Sequence, residues 1–145
     1  MRAEISRGLL RLLLDRAAAS PGIEICGLLL GSTTHGRRLI VSAPAVANVA
    51  PDPAQRFEID PAGLLAAYKS QRTGGWRVLG HYHSHPNGRA EPSGQDAAAS
   101  AAADRLWLIL GRGEARLWRE RAGGPVAGAF EPVRLDITGE AGCVP

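Results

Sequence analysis

Ile5, Leu9, Leu10, Leu12, Leu13 and Leu14 fall mostly on one broad helical face, with Arg7, Arg11 and Asp15 outside it, and Pro21-Gly22 ends the pattern. This spacing predicts a helix over 6–19. The run Glu24-Ile-Cys-Gly-Leu-Leu-Leu-Gly31 is too short and too well bounded for a long helix, and it predicts a buried strand. A polar turn over 32–36 leads into a Val- and Ile-rich strand at 38–47, making a hairpin. Pro51 and Pro53 mark 48–55 as a loop, and Phe57-Glu58-Ile59 reads as a short strand. Asp60-Pro61 has the form of an N-cap followed by proline at the first helical position, opening a helix that runs to Gln71.

Gly74-Gly75 closes that helix, and a strand over 76–82 delivers a dense polar segment at its carboxyl end. An alanine-rich helix is expected over 93–103. Strands follow at 106–110 and 115–118 around Gly111 and Gly113, with two short ones near 126–130 and 133–137. The order predicts an α+β fold, α/β-like in part, with a mixed, mainly antiparallel sheet flanked by about three helices. One domain over 1–138 accommodates these elements, and 139–145 is expected to be a flexible tail.

With 45% hydrophobic and 21% charged residues the chain lies in the globular range, which argues against wholesale disorder or a fibre. No apolar run approaches the roughly eighteen residues of a membrane span. The leucine-rich start superficially resembles a signal peptide, but Arg7, Arg11, Asp15 and Arg16 interrupt it at helical spacing, so a cytoplasmic location is expected. Cys26 and Cys143 are too few for a disulfide framework, and reduced thiols follow. The net charge of +3 comes almost wholly from scattered arginines, with Lys69 the only lysine, which argues against a nucleic-acid partner.

The chemistry concentrates in Gly80-His-Tyr-His-Ser-His-Pro86 and the segment to Asp96. Alternation along an extended strand points His81, His83 and His85 to one side, where neighbouring imidazoles can converge on a cation. Ten residues separate His85 from Asp96, enough for a loop to bring that carboxylate back from the first turn of a helix. Two neutral imidazoles and a carboxylate form a catalytic zinc set that leaves a fourth position for water. Such a water benefits from a carboxylate base. Glu24, Glu58 and Glu91 are candidates, and Glu24 is favoured because apolar surroundings would raise its pKa.

Glu24 within E-x-C-G-L-L-x-G, then His83-Ser84-His85-Pro86 and Ser93-x-x-Asp96, together resemble the JAB/MPN/JAMM metallopeptidase family. The likeness runs from the first helix to Trp118 and includes Phe57-Glu58-Ile59-Asp60. It implies the family fold, which is cytidine-deaminase-like, and one Zn2+ per chain held by His83, His85 and Asp96. It implies Glu24 as general acid/base and Ser93 as the donor to the oxyanion. No motif position departs from the catalytic form. The family hydrolyses peptide or isopeptide bonds after the Gly-Gly tail of ubiquitin-like proteins. Its stand-alone prokaryotic members resemble enzymes acting on sulfur-carrier proteins, for example releasing cysteine from a carrier adduct. A homodimer is compatible with such families.

Alternatives are a non-catalytic module in which zinc only staples the fold, a small-peptide amidase using the same site, and a zinc deaminase. The deaminase signatures H-x-E and P-C-x-x-C are absent from the sequence. Ser93-x-x-Asp96 is also a near capping box, a role that coexists with catalysis. His81 is expected to bridge backbone groups or to support a ligand, Ser84 to fix the turn, and Cys26 to be a small buried hydrophobe beside Glu24. His35 is expected to be exposed, Trp76 and Trp107 to pack in the core or its rim, and Trp118 is a candidate for a partner surface. The loops 48–55 and 87–92 flank the inferred site, and either is suited to hold an extended tail.

Overall fold

Ser6 ends one element and starts the next. Its hydroxyl oxygen accepts from the Leu9 N–H at 3.1 Å and caps helix α1, Arg7–Ala18, while the residues before it form strand β1, Arg2–Ser6. The computed structural model describes residues 1–86 and 88–139, so Cys143 and the expected tail beyond residue 139 lie outside the described residues. The chain continues through β2 (Cys26–Thr34), β3 (Arg37–Ser42), β4 (Ala45–Val46), α2 (Pro61–Arg72), β5 (Arg77–Ser84), α3 (Gly94–Ala99), β6 (Leu106–Leu110), β7 (Ala115–Glu120) and β8 (Phe130–Thr138).

The strand order is β3-β1-β8-β7-β6-β5-β2-β4, and β2 also pairs with β3. The sheet therefore closes on itself as a barrel, with β4 an appendage on β2. This corrects the expectation of a sheet merely flanked by helices. The mixed character holds: β1 runs parallel to β3 and β8, β5 parallel to β6, and the remaining pairings are antiparallel. Closure comes from β2. Register shifts at Leu29/Leu30 and Leu30/Gly31 bend it, so its first residues pair with β4 and its last with β3. A side chain at Gly31 would strike the Leu39 carbonyl, which is why the bend carries glycine.

All five residues of β6 are buried because both of its faces are covered. Leu106, Leu108 and Leu110 join Tyr82 of β5 and Leu10 and Leu13 of α1 in one core. Trp107 and Ile109 face the other way, into a second cluster with Ala90, Trp118 and Phe130. In the β5–β6 register His81 stands beside Trp107 and His83 beside Ile109, so the pleat places both histidines on the second face.

Several local expectations yield to distant partners. β1 had no signal of its own: Ile5 also fits the helical stripe, and the strand exists through pairing with β3 (Arg2 beside Arg37) and with the distant β8 (Arg2 beside Arg134). The strand expected at 38–47 splits into β3 and β4 around Ala43-Pro44, and that expected at 24–31 begins only at Cys26. Phe57–Ile59 contributes one isolated bridge, Asn48 to Ile59, and the two late strands are the single β8 plus a Val126–Phe130 bridge.

The helix expected at 93–103 stops at Ala99. Beyond it the Glu120 carboxylate accepts from the N–H groups of Ala101, Ala103 and Arg105 at 3.0–3.3 Å, drawing this backbone out of helical pairing.

Candidate metal and catalytic site

Strand β5 ends where the chemistry begins. Ser84 is the last strand residue; its N–H donates to the Ile25 carbonyl at 3.0 Å, and its hydroxyl oxygen accepts from the Ile25 N–H at 2.9 Å. Ser84 thus clamps the residue next to Glu24 rather than fixing the turn, which is closed by the Gly88 N–H donating to the His85 carbonyl at 3.1 Å. His85 lies just past the strand, where its own N–H donates to the Leu110 carbonyl at 2.8 Å. Asp96 sits in the first turn of α3. Its carboxylate accepts from the Ser93 N–H at 2.9 Å while the Ser93 hydroxyl oxygen accepts from the Asp96 N–H at 3.1 Å, a complete capping box.

Three donor atoms converge. His83 Nε2 and His85 Nε2 are 3.1 Å apart, Asp96 Oδ1 lies 3.2 Å from His83 Nε2, and Asp96 Oδ2 lies 3.1 Å from His85 Nε2. Ligands on a tetrahedral zinc with bonds of about 2.0–2.1 Å stand about 3.3 Å apart, so the spacing suits such an ion.

The tautomer of His85 agrees. Its Nδ1 is 2.9 Å from the Arg89 carbonyl. A carbonyl only accepts, so Nδ1 carries a proton, and once the ring gives up its Nε2 proton the lone pair left there faces the cluster. Lone pairs and a carboxylate meeting at one point call for a cation. Glu24, His83 and His85 each also offer a ligand atom within 4.8 Å of the others, so Glu24 belongs to the same cluster.

Electrostatics separates the two carboxyls. Burial works against the charge of Asp96, but hydrogen bonds and proximity to His83 and His85 outweigh it and hold this carboxyl well below the usual range. Glu24 lacks such support. Burial, only partly offset by His85, pushes it up to about 7, and its Oε1 has no hydrogen-bond partner among the described residues. Burial lowers His83; for His85 burial is the largest single effect, but the Asp96 carboxylate, the Arg89 carbonyl and Glu24 together outweigh it and raise its pKa.

His81 departs from expectation. Its ring packs against Trp107 at 4.3 Å and Phe57 at 5.2 Å, its Nδ1 bonds nothing among the described residues, and burial brings its pKa down to about 3. It bridges no backbone groups among the described residues. Cys26 is a buried thiol pushed up to about 11 by burial, donating to the Val46 carbonyl at 3.5 Å. His35 is exposed; Trp107 is buried in the core, whereas Trp76 is 55% exposed. Trp118 is buried, its Nε1–H donating to the Ala90 carbonyl at 2.9 Å, so it is no partner surface.

Two more residues support the site: Phe57, which the family likeness includes without a role, and Asn48, at the start of the flanking loop. Phe57 stacks on His83 with ring centroids 4.2 Å apart and an angle of 18°. Asn48 uses its whole side-chain amide: Nδ2 donates to the carbonyls of Glu24 at 2.8 Å and Arg56 at 3.1 Å, and Oδ1 accepts from the N–H groups of Ala50 and Glu58, each at 3.0 Å. An Asn before a proline-rich loop reads locally as a turn residue, and only the fold reveals the Glu24 contact. A cleft of about 340 Å³ runs between Ala54-Gln55 and the segment that includes Pro86, Gly88 and 91–93, with Glu24, His85 and Ser93 in its wall.

A sequence profile for the prokaryotic homologs of the JAB domain matches residues 6–121. A desampylase from Haloferax volcanii is 32% identical over 107 residues, 72% of this chain and 76% of the relative. A desampylase from Pyrococcus furiosus is 29% identical over 71% of each chain. A probable TtuB-protein conjugate cleaving protease from Thermus thermophilus is 41% identical over 61 residues, 42% of this chain and 41% of the relative. The solution structure of a Desulfitobacterium hafniense protein shares the fold with a TM-score of 0.81 at 23% identity, over 97% of this chain and 95% of that one. Among the described residues no helix is long and apolar enough to cross a membrane.

Proposed function

The chain belongs to the family of prokaryotic JAB-domain proteins and is a JAMM-type hydrolase of peptide or isopeptide bonds, and from that premise we propose its substrate and its catalytic residues. The substrate is the amide bond that follows the C-terminal glycine of a ubiquitin-like or sulfur-carrier protein ending in Gly-Gly. His83, His85 and Asp96 would hold one zinc ion. When bound, the ion supplies Lewis acidity, polarising the scissile carbonyl and lowering the pKa of a water toward about 7.

Glu24 takes a proton from the attacking water and passes it to the leaving nitrogen; the C–N bond breaks, the glycine carbon gains the water oxygen, and the amine departs protonated. Burial holds the Glu24 carboxyl above the usual carboxylate range in the metal-free protein, which suits a group that must both take up and release a proton. The Ser93 oxygen already accepts from the Asp96 N–H, so its own O–H is left to donate to the developing oxyanion. The cleft between the two loops is suited to an extended tail, since glycines need no side-chain pockets.

The observation that carries this reading is the convergence of His83, His85 and Asp96 with Glu24 beside them. Its test pairs metal content with turnover on a Gly-Gly carrier adduct. Glu24→Gln keeps one zinc and loses cleavage, whereas His83→Ala loses both. A Glu24→Gln protein that still cleaves contradicts the assignment, and one that loses its zinc makes Glu24 a ligand.

A further inference from the structure

The carbonyl that accepts from the His85 ring is itself held on every side. It belongs to the peptide group between Arg89 and Ala90, whose oxygen accepts from His85 Nδ1–H at 2.9 Å and whose N–H, on the opposite edge, donates to Glu114 Oε1 at 3.2 Å. The next carbonyl, that of Ala90, accepts from the Trp118 Nε1–H at 2.9 Å, and the neighbouring Glu91 carboxylate pairs with Arg116 at 3.1 Å. Glu114, Arg116 and Trp118 alternate into β7, so one side of this strand supplies all three contacts. The turn before β7 fits as closely. The Arg112 N–H donates to the Gly88 carbonyl at 3.0 Å, and a Cβ at Gly111 would stand only 2.8 Å from the Ala90 nitrogen. Glycine at this position lets the turn lie directly against the peptide that holds His85.

A peptide group passes polarisation from one edge to the other. A carboxylate on its N–H pushes electron density through the amide toward the oxygen, which becomes a stronger acceptor for the imidazole N–H. The ring then keeps its proton on Nδ1 and presents a more basic Nε2. We propose that Glu114 is a positioning residue for His85: acting through the Arg89–Ala90 peptide, its carboxylate fixes the tautomer and strengthens the donor atom that faces the cluster, while Trp118 and Arg116 keep that peptide in place. Glu114 thereby does for His85, across one intervening peptide, what a directly bonded carboxylate does for metal-bound histidines. His83 has no counterpart, since its Nδ1 bonds nothing among the described residues. The consequence for metal affinity rests on His83, His85 and Asp96 being the zinc ligands.

Glu114 is exposed, so its replacement should leave the fold intact. Glu114→Ala and Glu114→Gln are compared with the wild type in two measurements. Chelator competition should show zinc bound about tenfold more weakly by Glu114→Ala, the lower end for a group that orients a ligand. Glu114→Gln should lose less, because its amide oxygen still accepts from the Ala90 N–H without the charge. Nitrogen–proton NMR correlations of the imidazole rings are recorded on the metal-free protein at alkaline pH, where the rings are neutral. They should show wild-type His85 protonated on Nδ1, and in Glu114→Ala a shift toward the tautomer protonated on Nε2, with the His83 signals unchanged.

A change confined to the His85 ring separates positioning from a general loosening of the fold, which would disturb both rings. An unchanged zinc affinity in Glu114→Ala, or a His85 tautomer that does not respond to it, overturns the proposal. A wild type that takes up no zinc, with a His85 tautomer that still follows Glu114, supports the positioning of His85 and makes the zinc reading alone fail.

Discussion

Asn48→Ala removes the one side chain among the described residues that ties the proline-rich loop to the backbone of Glu24, leaving the Glu24 N–H bond to the Pro53 carbonyl in place. Four hydrogen bonds of 2.8–3.1 Å are lost. At about 1 kcal/mol net each they amount to about 4 kcal/mol; because the site is only half-buried, water replaces part of this, and the expected cost is about 2–3 kcal/mol. Asn48→Asp should cost at least as much, since it keeps the acceptor but turns a carboxylate toward the carbonyls of Glu24 and Arg56. Denaturant unfolding of the metal-free protein measures both. In the metal-loaded protein the freed loop lets Glu24 drift, and a displacement of about 1 Å lowers kcat about a hundredfold while zinc content stays at one per chain. A stability change under about 0.5 kcal/mol, or a loss of zinc in step with activity, refutes the view that Asn48 acts by holding Glu24.

Ser93→Ala should cost about 1 kcal/mol of stability as a lost cap and, separately, about a hundredfold in kcat as a lost oxyanion donor; a stability loss with kcat unchanged would leave the hydroxyl only its capping role. Phe57→Ala frees the face of His83 and should weaken zinc binding about tenfold in a chelator competition, with unchanged affinity removing Phe57 from the support of the site. Burial opposes the Glu120 charge, but the Ala101 N–H and Arg105 outweigh it and hold its pKa below the ordinary 4.5. A depressed carboxylate stabilises the fold above the unfolded value, and that contribution fades as pH falls through the folded one. The gap in unfolding free energy between wild type and Glu120→Gln should therefore be full at pH of about 6 and shrink below about 4.5; a gap independent of pH would contradict the ion pairing of Glu120.

The parts of this molecule that could be read in advance are those set by neighbours in sequence. Asp60 and Ser93 as caps, the apolar run of β6, and the spacing that brings His83, His85 and Asp96 within 3.2 Å of one another are all local or short-range patterns. The rest depends on chain segments that meet only in three dimensions. Barrel closure needs β1 between β3 and β8, and nothing in Arg2–Ser6 announces it. The early end of α3 is set by Glu120, about twenty residues away, against the helical preference of the alanines. His81 has the residue type and spacing of a ligand, yet the strand pleat sets it against Trp107, one step short of the cluster. Arg16 looked like one polar position on a helix until the fold set it beside the Tyr82 hydroxyl, with no carboxylate partner among the described residues.

The most direct measurement is anomalous diffraction at the zinc edge from crystals of the zinc-loaded protein. The account predicts one ion about 2.0–2.2 Å from His83 Nε2, His85 Nε2 and an Asp96 oxygen, with solvent at the fourth position and the Glu24 carboxylate hydrogen-bonded to that solvent. A zinc ligated by Glu24 in place of Asp96, or capped by a fourth protein ligand, would contradict it.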